Sequence, residues 1–320
     1  MIRYGTVFYK EAAMTFTRRV FQIGLSGAAA LGAGGTGPRV RRIRLAVAQM
    51  TCADGDIAGN LARATALAET AHGRGAELIL FPELMPAGYA LNDTIFAAAE
   101  PRDGPTARWL AATSRRLRCA IGTSFLEAAS GAHYNTFVLT GRNGRELGRV
   151  RKETPASLEA LFFRGEPSPH MIDTPFAKIG VGICYESYLC STERYFAAGQ
   201  PDLILLPHSF PDMRDSGGLA SPPGTHVAAW HARRFGVPVA MCNKTGAWSS
   251  MTPVGHAAGR FPGQSAIVGS GGETLALLND QPGVAVAEVL LDPARKAEPA
   301  PACAGDLIPA LTQFDWVRAG

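Results

Sequence analysis

From Ile43 to Gln49, apolar Ile43, Leu45 and Val47 alternate with Arg44, Ala46 and Ala48, the two-residue period of a β-strand. Asp56 precedes a helical stretch, Ile57 to His72, which Gly73 and Gly75 end. The short apolar run Glu77–Phe81 reads as a buried strand. The rhythm continues, with helices expected over Arg108–Leu117, Thr192–Ala198 and His226–Phe235. Strands are expected over Cys119–Phe125, Tyr134–Thr140, Lys178–Cys184, Leu203–Leu206, Pro238–Asn243, Ser265–Val268 and Val284–Leu290. Asn143-Gly144 between apolar runs marks a hairpin. Helices that alternate with strands, with hairpins among them, predict a layered α/β domain with a mixed sheet. No long linker interrupts residues 45–290 and no internal repeat is visible. A Pro/Ala-rich tail, 292–320, reads as irregular, with Phe314 and Trp316 placed to dock on the body or on a neighbouring subunit.

Composition changes this picture at one end. The 320 residues are 47% hydrophobic and 18% charged, which suits a globular chain. No run of 18 apolar residues is present, which excludes a multi-span helical membrane protein. The net charge of +4 hints at an anionic partner, but it is unevenly spread. Residues 1–44 carry eight basic side chains against Glu11 alone, so the remaining residues have a net charge of −3. Within the leader, 1–40, Arg18-Arg19-Val20-Phe21 precedes an Ala/Gly-rich, moderately apolar stretch, the order of an export signal. The arginine pair resembles a twin-arginine signal, read by its own export machinery. Met14 is an alternative start, and a disordered basic extension is the alternative to a signal. The expected location is therefore periplasmic or extracellular, or cytoplasmic if the leader is not functional. The acidic body gives no reason to expect nucleic acid or stable membrane insertion.

Candidate chemistry sits at strand ends. Glu83 closes the apolar run Leu78-Ile79-Leu80-Phe81-Pro82, where a carboxylate needs a partner. Lys152 follows the strand end Gly148–Arg151. Cys184 ends the Gly-punctuated run Lys178–Ile183 and is followed by Tyr185 and Glu186. A thiol needs a base or a nearby cation to become a nucleophile. Taken singly, Cys184 fits a small core residue, Lys152 a solvated face and Glu83 a structural acceptor.

Taken together, these segments resemble the nitrilase superfamily of carbon–nitrogen hydrolases, from about Ile43 to Leu291. Phe81-Pro82-Glu83 with Gly88-Tyr89, then Arg151-Lys152, then Gly180–Glu186 follow the family's motif order. Asp202–Pro207, Asn243-Lys244-Thr245-Gly246, Phe261–Ser265 and Gly271-Gly272-Glu273 add to the likeness. The resemblance implies a four-layer α-β-β-α sandwich with two mixed β-sheets, paired across subunits in a homodimer or larger homo-oligomer. It implies Cys184 as nucleophile, Glu83 as general base, and Lys152 with the backbone N–H of Tyr185 as oxyanion donors. Glu159, before Phe162-Phe163 and Gly165, matches a second family glutamate more closely than Glu153 or Glu166. Tyr89, Glu186 and His208 are expected to line the substrate pocket. The chain departs from many relatives at Glu153-Thr154-Pro155, where a His-Leu pair is common, so the loop after Lys152 is expected to have its own shape.

The implied activity is an amidase that passes through a thioester acyl-enzyme and needs no cofactor or metal. Tyr185, where nitrile-cleaving members often have Trp, favours an amide over a nitrile. A nitrilase, an N-acyltransferase and a non-catalytic binding protein of the same fold remain alternatives. The scattered histidines lack zinc-site spacing. Arg233 and Arg234 fit a solvated helix face or an ion pair better than a substrate clamp. Of the six cysteines, Cys52, Cys119 and Cys242 read as core residues.

Overall fold

The computed structural model describes residues 40–213, 224–297, 303 and 305–309. The leader with Arg18 and Arg19, most of the loop His208–Gly224, and Phe314 and Trp316 lie outside these residues. The first half runs β1 (Arg41–Gln49), α1 (Ile57–Gly73), β2 (Leu78–Leu80), α2 (Pro105–Leu117), β3 (Ala120–Ala129), β4 (Ala132–Thr140) and β5 (Glu146–Arg151). The second runs β6 (Met171–Asp173), β7 (Lys178–Val181), α3 (Cys190–Gly199), β8 (Leu203–Pro207), α4 (Gly224–Phe235) and β9 (Val239–Cys242). Then follow β10 (Thr245–Thr252), β11 (Gly255–Pro262), β12 (Ala266–Val268), β13 (Thr274–Leu277) and β14 (Gly283–Leu291).

Two six-stranded sheets result, ordered β14-β1-β2-β3-β4-β5 and β13-β12-β9-β8-β7-β6. From β14 in one sheet and β6 in the other, neighbours pair antiparallel, parallel, parallel, antiparallel, antiparallel. The two halves therefore repeat one pairing order, although the sequence shows no repeat. β14 returns from the chain's far end to pair with β1 in register from Arg41↔Leu291 to Gln49↔Gly283.

The layers follow from strand alternation. Ile43, Leu45, Val47, Leu78 and Leu80 of the first sheet meet Ile179, Val181, Leu203, Leu205 and Ala240 of the second in one core. The intervening Ala46, Ala48, Ile79 and Phe81 pack on α1 and α2, through small residues such as Ala64 and Ala68 and through Leu110. Ile204, Leu206, Val239 and Met241 pack on α3 and α4 in the same way. Strands apolar on both faces need cover on both faces, which gives the order α-β-β-α. Gly180 and Gly182 have a packing role: a Cβ at Gly180 would come within 3.0 Å of Phe196, so the glycines let α3 lie close.

Some expectations need correction. The strand expected to run through Cys184 stops at Val181, and Cys184 itself adopts φ 52°, the left-handed region, at the start of a 3-10 turn. The 245–262 segment, for most of which the sequence predicts no element, forms the two-stranded β10–β11 hairpin. Its Ser, Thr, Ala and Gly content hides the alternation that buries Trp248, Ser250 and Thr252. The described part of the tail, expected to be irregular, docks on the body. Leu307 bridges Leu189, Ile308 is fully buried and its N–H donates to Tyr188 O at 2.9 Å. Cys303 forms a disulfide with Cys190, with the two Cα atoms 5.6 Å apart.

That bridge closes a sequence separation of 113 residues. Replacing Cys190 and Cys303 together by serine is expected to cost about 2–4 kcal/mol, chiefly by freeing the unfolded chain. Differential scanning calorimetry checks this as a fall in Tm of order 10 °C.

Candidate active site

The chemistry-bearing residues converge beyond the carboxyl ends of parallel strands, where an α/β sheet presents its loops. Glu83 follows β2, Cys184 follows β7, His208 follows β8 and Asn243-Lys244 follow β9. Lys152 follows β5. Alternation separates it from its neighbour: Arg151 points outward to Glu127 and Glu166, whereas Lys152 is 1% exposed.

Lys152 Nζ donates to Glu83 Oε1 at 2.8 Å and to Glu159 Oε2 at 2.7 Å, and both carboxylates are fully buried. Asn135 Nδ2 also donates to Glu83 Oε1, at 2.7 Å. Glu159 is held further by Tyr89 OH at 2.6 Å and by the Ala156 backbone N–H at 2.8 Å. One cation thus lies between two carboxylates in a dry site. Burial opposes the charge on Lys152, but the Glu159 and Glu83 carboxylates outweigh it and hold its pKa well above the ordinary lysine value. For Glu83 burial wins and raises its pKa, with Lys152 pulling the other way. Glu83 Oε2 has no hydrogen-bond partner, so it is free to take a proton. The backbone around Glu83 is pinned on every side. Its N–H donates to His208 O, its carbonyl accepts from Ser209 Oγ at 2.7 Å, and the next N–H, of Leu84, donates to Ser124 Oγ at 2.7 Å.

Cys184 opens a 3-10 turn, Cys184–Tyr188, and lies 2% exposed. Its left-handed φ of 52° costs of order 1–3 kcal/mol in a non-glycine residue and requires support from its surroundings. Ser187 Oγ donates to Cys184 O at 2.6 Å. With that proton committed, His208 Nε2, 3.0 Å from Ser187 Oγ, must be the donor to it. His231 Nε2 lies 2.7 Å from Ser187 O and likewise donates. Burial pushes His208 down to about 3 and His231 down to about 4, so both rings are neutral, each with its proton on Nε2. Glu186 braces the other side. Its Oε2 accepts from Ile183 N–H at 3.1 Å and its Oε1 from Glu153 N–H at 2.6 Å, which ties the Cys184 turn to the loop after Lys152. Burial, and then the Glu83 charge, hold the Cys184 thiol well above its ordinary pKa. Lys152 and the Ser209 backbone N–H oppose that rise, and the resting thiol is neutral.

A cavity of about 450 Å³ opens onto this group, with Cys184, Tyr185, Tyr89 and Ser209 at its base. Of the side chains expected to line it, Tyr89 does so. Glu186 and His208 are not among its described lining residues: each is 1% exposed and committed to the backbone and side chains under Cys184. Glu159, not Glu153 or Glu166, meets Lys152, while Glu166 pairs with Arg151 at 2.7 Å. Arg234 makes an ion pair with the buried Glu193. Several contributors were not anticipated. Asn135 is legible only as a polar residue in an otherwise buried strand, and Ser187, Ser209 and His231 give no local signal. Lys244, fully buried, donates to Gly88 O at 2.9 Å and so holds the segment between Glu83 and Tyr89. Among the described residues no cluster of His, Cys, Asp and Glu could hold a metal ion, and no helix is long and apolar enough to cross a membrane.

Two six-stranded mixed sheets under helices form an α/β sandwich, the fold that nitrilase-superfamily structures share. The chain belongs to the carbon–nitrogen hydrolase family, whose sequence model matches residues 44–298. It is 31% identical over 263 residues to the N-carbamoylputrescine amidase of Solanum lycopersicum, covering 79% of this chain and 87% of that one. A carbon–nitrogen hydrolase from Helicobacter pylori G27 shares the fold at TM-score 0.69 and 22% identity, over 80% of this chain and 91% of that one. A nitrilase-superfamily amidase from Nesterenkonia sp. AN1 aligns at TM-score 0.63 and 26% identity, over 76% and 90%. Another structure of that amidase shows acrylamide added to its active-site cysteine.

Proposed function

We propose that the protein is an amidase that cleaves a carbon–nitrogen bond through a thioester on Cys184. The observation that carries this reading is the buried Cys184 thiol set beside a Glu83 carboxylate that Lys152 and Asn135 hold by its other oxygen. Glu83 takes the thiol proton as sulfur attacks the amide carbon. The developing oxyanion is met by Lys152, whose ammonium has three donors and spends two on Glu83 and Glu159, and by the Tyr185 backbone N–H. Collapse breaks the C–N bond, and the proton on Glu83 leaves with ammonia or the amine. Water then gives a proton to Glu83 and attacks the thioester. The acid departs, and the proton returns to sulfur.

Amidase relatives support the reaction class, and the cysteine adduct in the Nesterenkonia enzyme supports a nucleophilic thiol. The test is ammonia release from a panel of amides, carbamoyl compounds and nitriles, with Cys184→Ala as control. Cys184-dependent ammonia from amides supports the reading. Preferential consumption of nitriles, or equal turnover by the variant, overturns it.

The pH profile supplies a further check. The base must be ionised in the free enzyme, so kcat/KM falls as pH drops through the pKa of Glu83. Burial raises that pKa above 4.5, so the acid limb is expected above the ordinary glutamate range. An activity plateau that persists down to pH ~4.5 in folded enzyme contradicts this assignment.

Export is part of the same proposal. The Cys190–Cys303 disulfide supports maturation in an oxidising compartment, as the arginine-pair leader suggests. Fractionation of cells expressing the full chain, with and without Arg18→Lys plus Arg19→Lys, tests it. Unchanged export of the variant overturns the twin-arginine route.

A further inference from the structure

The wall of the cavity above Cys184 is apolar in a particular way. Leu91, Leu158, Phe210, Pro211 and Met213 present hydrocarbon or aromatic surface. The β10–β11 hairpin adds Trp248 and Ala257 to the lining. Polar atoms on three of the lining side chains are turned to protein partners, and Ser157, Tyr185 and Tyr188 also line the cavity. Trp248 Nε1 donates to Tyr89 O at 2.7 Å, Tyr89 OH to Glu159 Oε1 at 2.6 Å, and Ser209 Oγ to Glu83 O at 2.7 Å. What Leu91, Leu158, Phe210, Pro211, Met213 and Trp248 offer a ligand is therefore ring, methylene and methyl surface. Lys152, Glu83 and Glu159 are not among its described lining residues.

Building on the amidase reading, we infer that the substrate is the amide of an uncharged, apolar acyl chain of several carbons. The acyl group extends from Cys184 into this chamber. A volume of about 450 Å³ is far more than an acetyl group fills and lies within the range of small-molecule sites. A methylene buried against such a wall gains about 0.8 kcal/mol, or roughly fourfold in kcat/KM. A charged group at the far end of the chain loses its water and meets hydrocarbon, at a cost of several kcal/mol. The carbamoylputrescine in the name of the tomato relative ends in a primary amine that is an ammonium at neutral pH, so the inference separates this site from that substrate.

The test uses the wild-type enzyme and five primary amides: acetamide, butyramide, hexanamide, 6-aminohexanamide and adipamic acid. Ammonia release is followed with Cys184→Ala as blank. The expected result is a rise of roughly fourfold per methylene from acetamide to hexanamide. Hexanamide should exceed both charged analogues by at least about 100-fold in kcat/KM. A flat or falling series, or equal or better turnover of either charged analogue, overturns the inference and leaves the amidase reading intact. Failure of all five to release ammonia in a Cys184-dependent way overturns the amidase reading, and the inference falls with it.

Discussion

Cys184→Ala is expected to lower kcat by roughly 10⁴–10⁶-fold while the protein stays folded. The loss is large because attack, thioester formation and deacylation all pass through one sulfur. Stability should change little, since the substitution keeps Cβ and hence the left-handed backbone of φ 52°. The cost is limited to the sulfur's packing in the inter-sheet core, about 1 kcal/mol. Cys184→Gly is the poorer control, because glycine relaxes that backbone and adds a stabilising effect of its own. Steady-state assay with calorimetry separates the two effects, and residual activity near wild type removes Cys184 from the chemistry.

Lys152→Met is expected to damage both activity and stability. Without the ammonium, Glu83 and Glu159 face each other as buried carboxylates with no cation between them. Removing one partner of a buried ion pair costs about 3–5 kcal/mol, because it strands charge. The pH dependence has a definite sign. Burial raises the folded pKa of Glu83 above its unfolded value, and without Lys152 nothing opposes that rise as strongly, so the penalty is full at pH 8 and shrinks as pH falls and Glu83 protonates. Urea midpoints at pH 8 and pH 5 should therefore show the gap between variant and wild type narrowing at the lower pH. Catalysis should fall at least ~10³-fold, since an oxyanion donor is lost and Glu83 is no longer held as a carboxylate. A gap that stays constant with pH contradicts the electrostatic account.

The parts of this architecture that sequence exposes are those written locally. Ile43-Leu45-Val47 and Leu203–Leu206 announce buried strands, because strands covered on both faces are apolar throughout. Glu83 and Cys184 are legible because each ends such a run with an incongruous polar group, whereas Lys152, after Gly148–Arg151, needs the family resemblance. Glu159 needed the pattern of its neighbours as well. Other features depend on contacts formed only in three dimensions. His208 looks like a pocket residue because it follows a strand end, as Glu83 does. Its role under Ser187 appears only when β8 lies beside β7. Glu186 follows the nucleophile and so suggests substrate contact, yet it folds back to its own backbone and across to Glu153. Asn135 reaches Glu83 across 52 positions of sequence. The Cys190–Cys303 pairing joins a helix start to a tail whose composition reads as irregular. The β10–β11 hairpin is masked by small polar residues, although Trp248 and Ala257 on it shape the chamber.

The central claim is that a thioester forms on Cys184 and that Glu83 drives its hydrolysis. Intact mass and peptide mapping of Glu83→Gln after exposure to p-nitrophenyl butyrate test it most directly. The activated ester acylates the thiol without a strong base, and loss of the Glu83 carboxylate stalls deacylation. The account predicts one butyryl group on Cys184, absent from Glu83→Gln/Cys184→Ala and short-lived in the wild type. A Cys184 peptide left unmodified, or a butyryl group that clears from Glu83→Gln as fast as from the wild type, would contradict it.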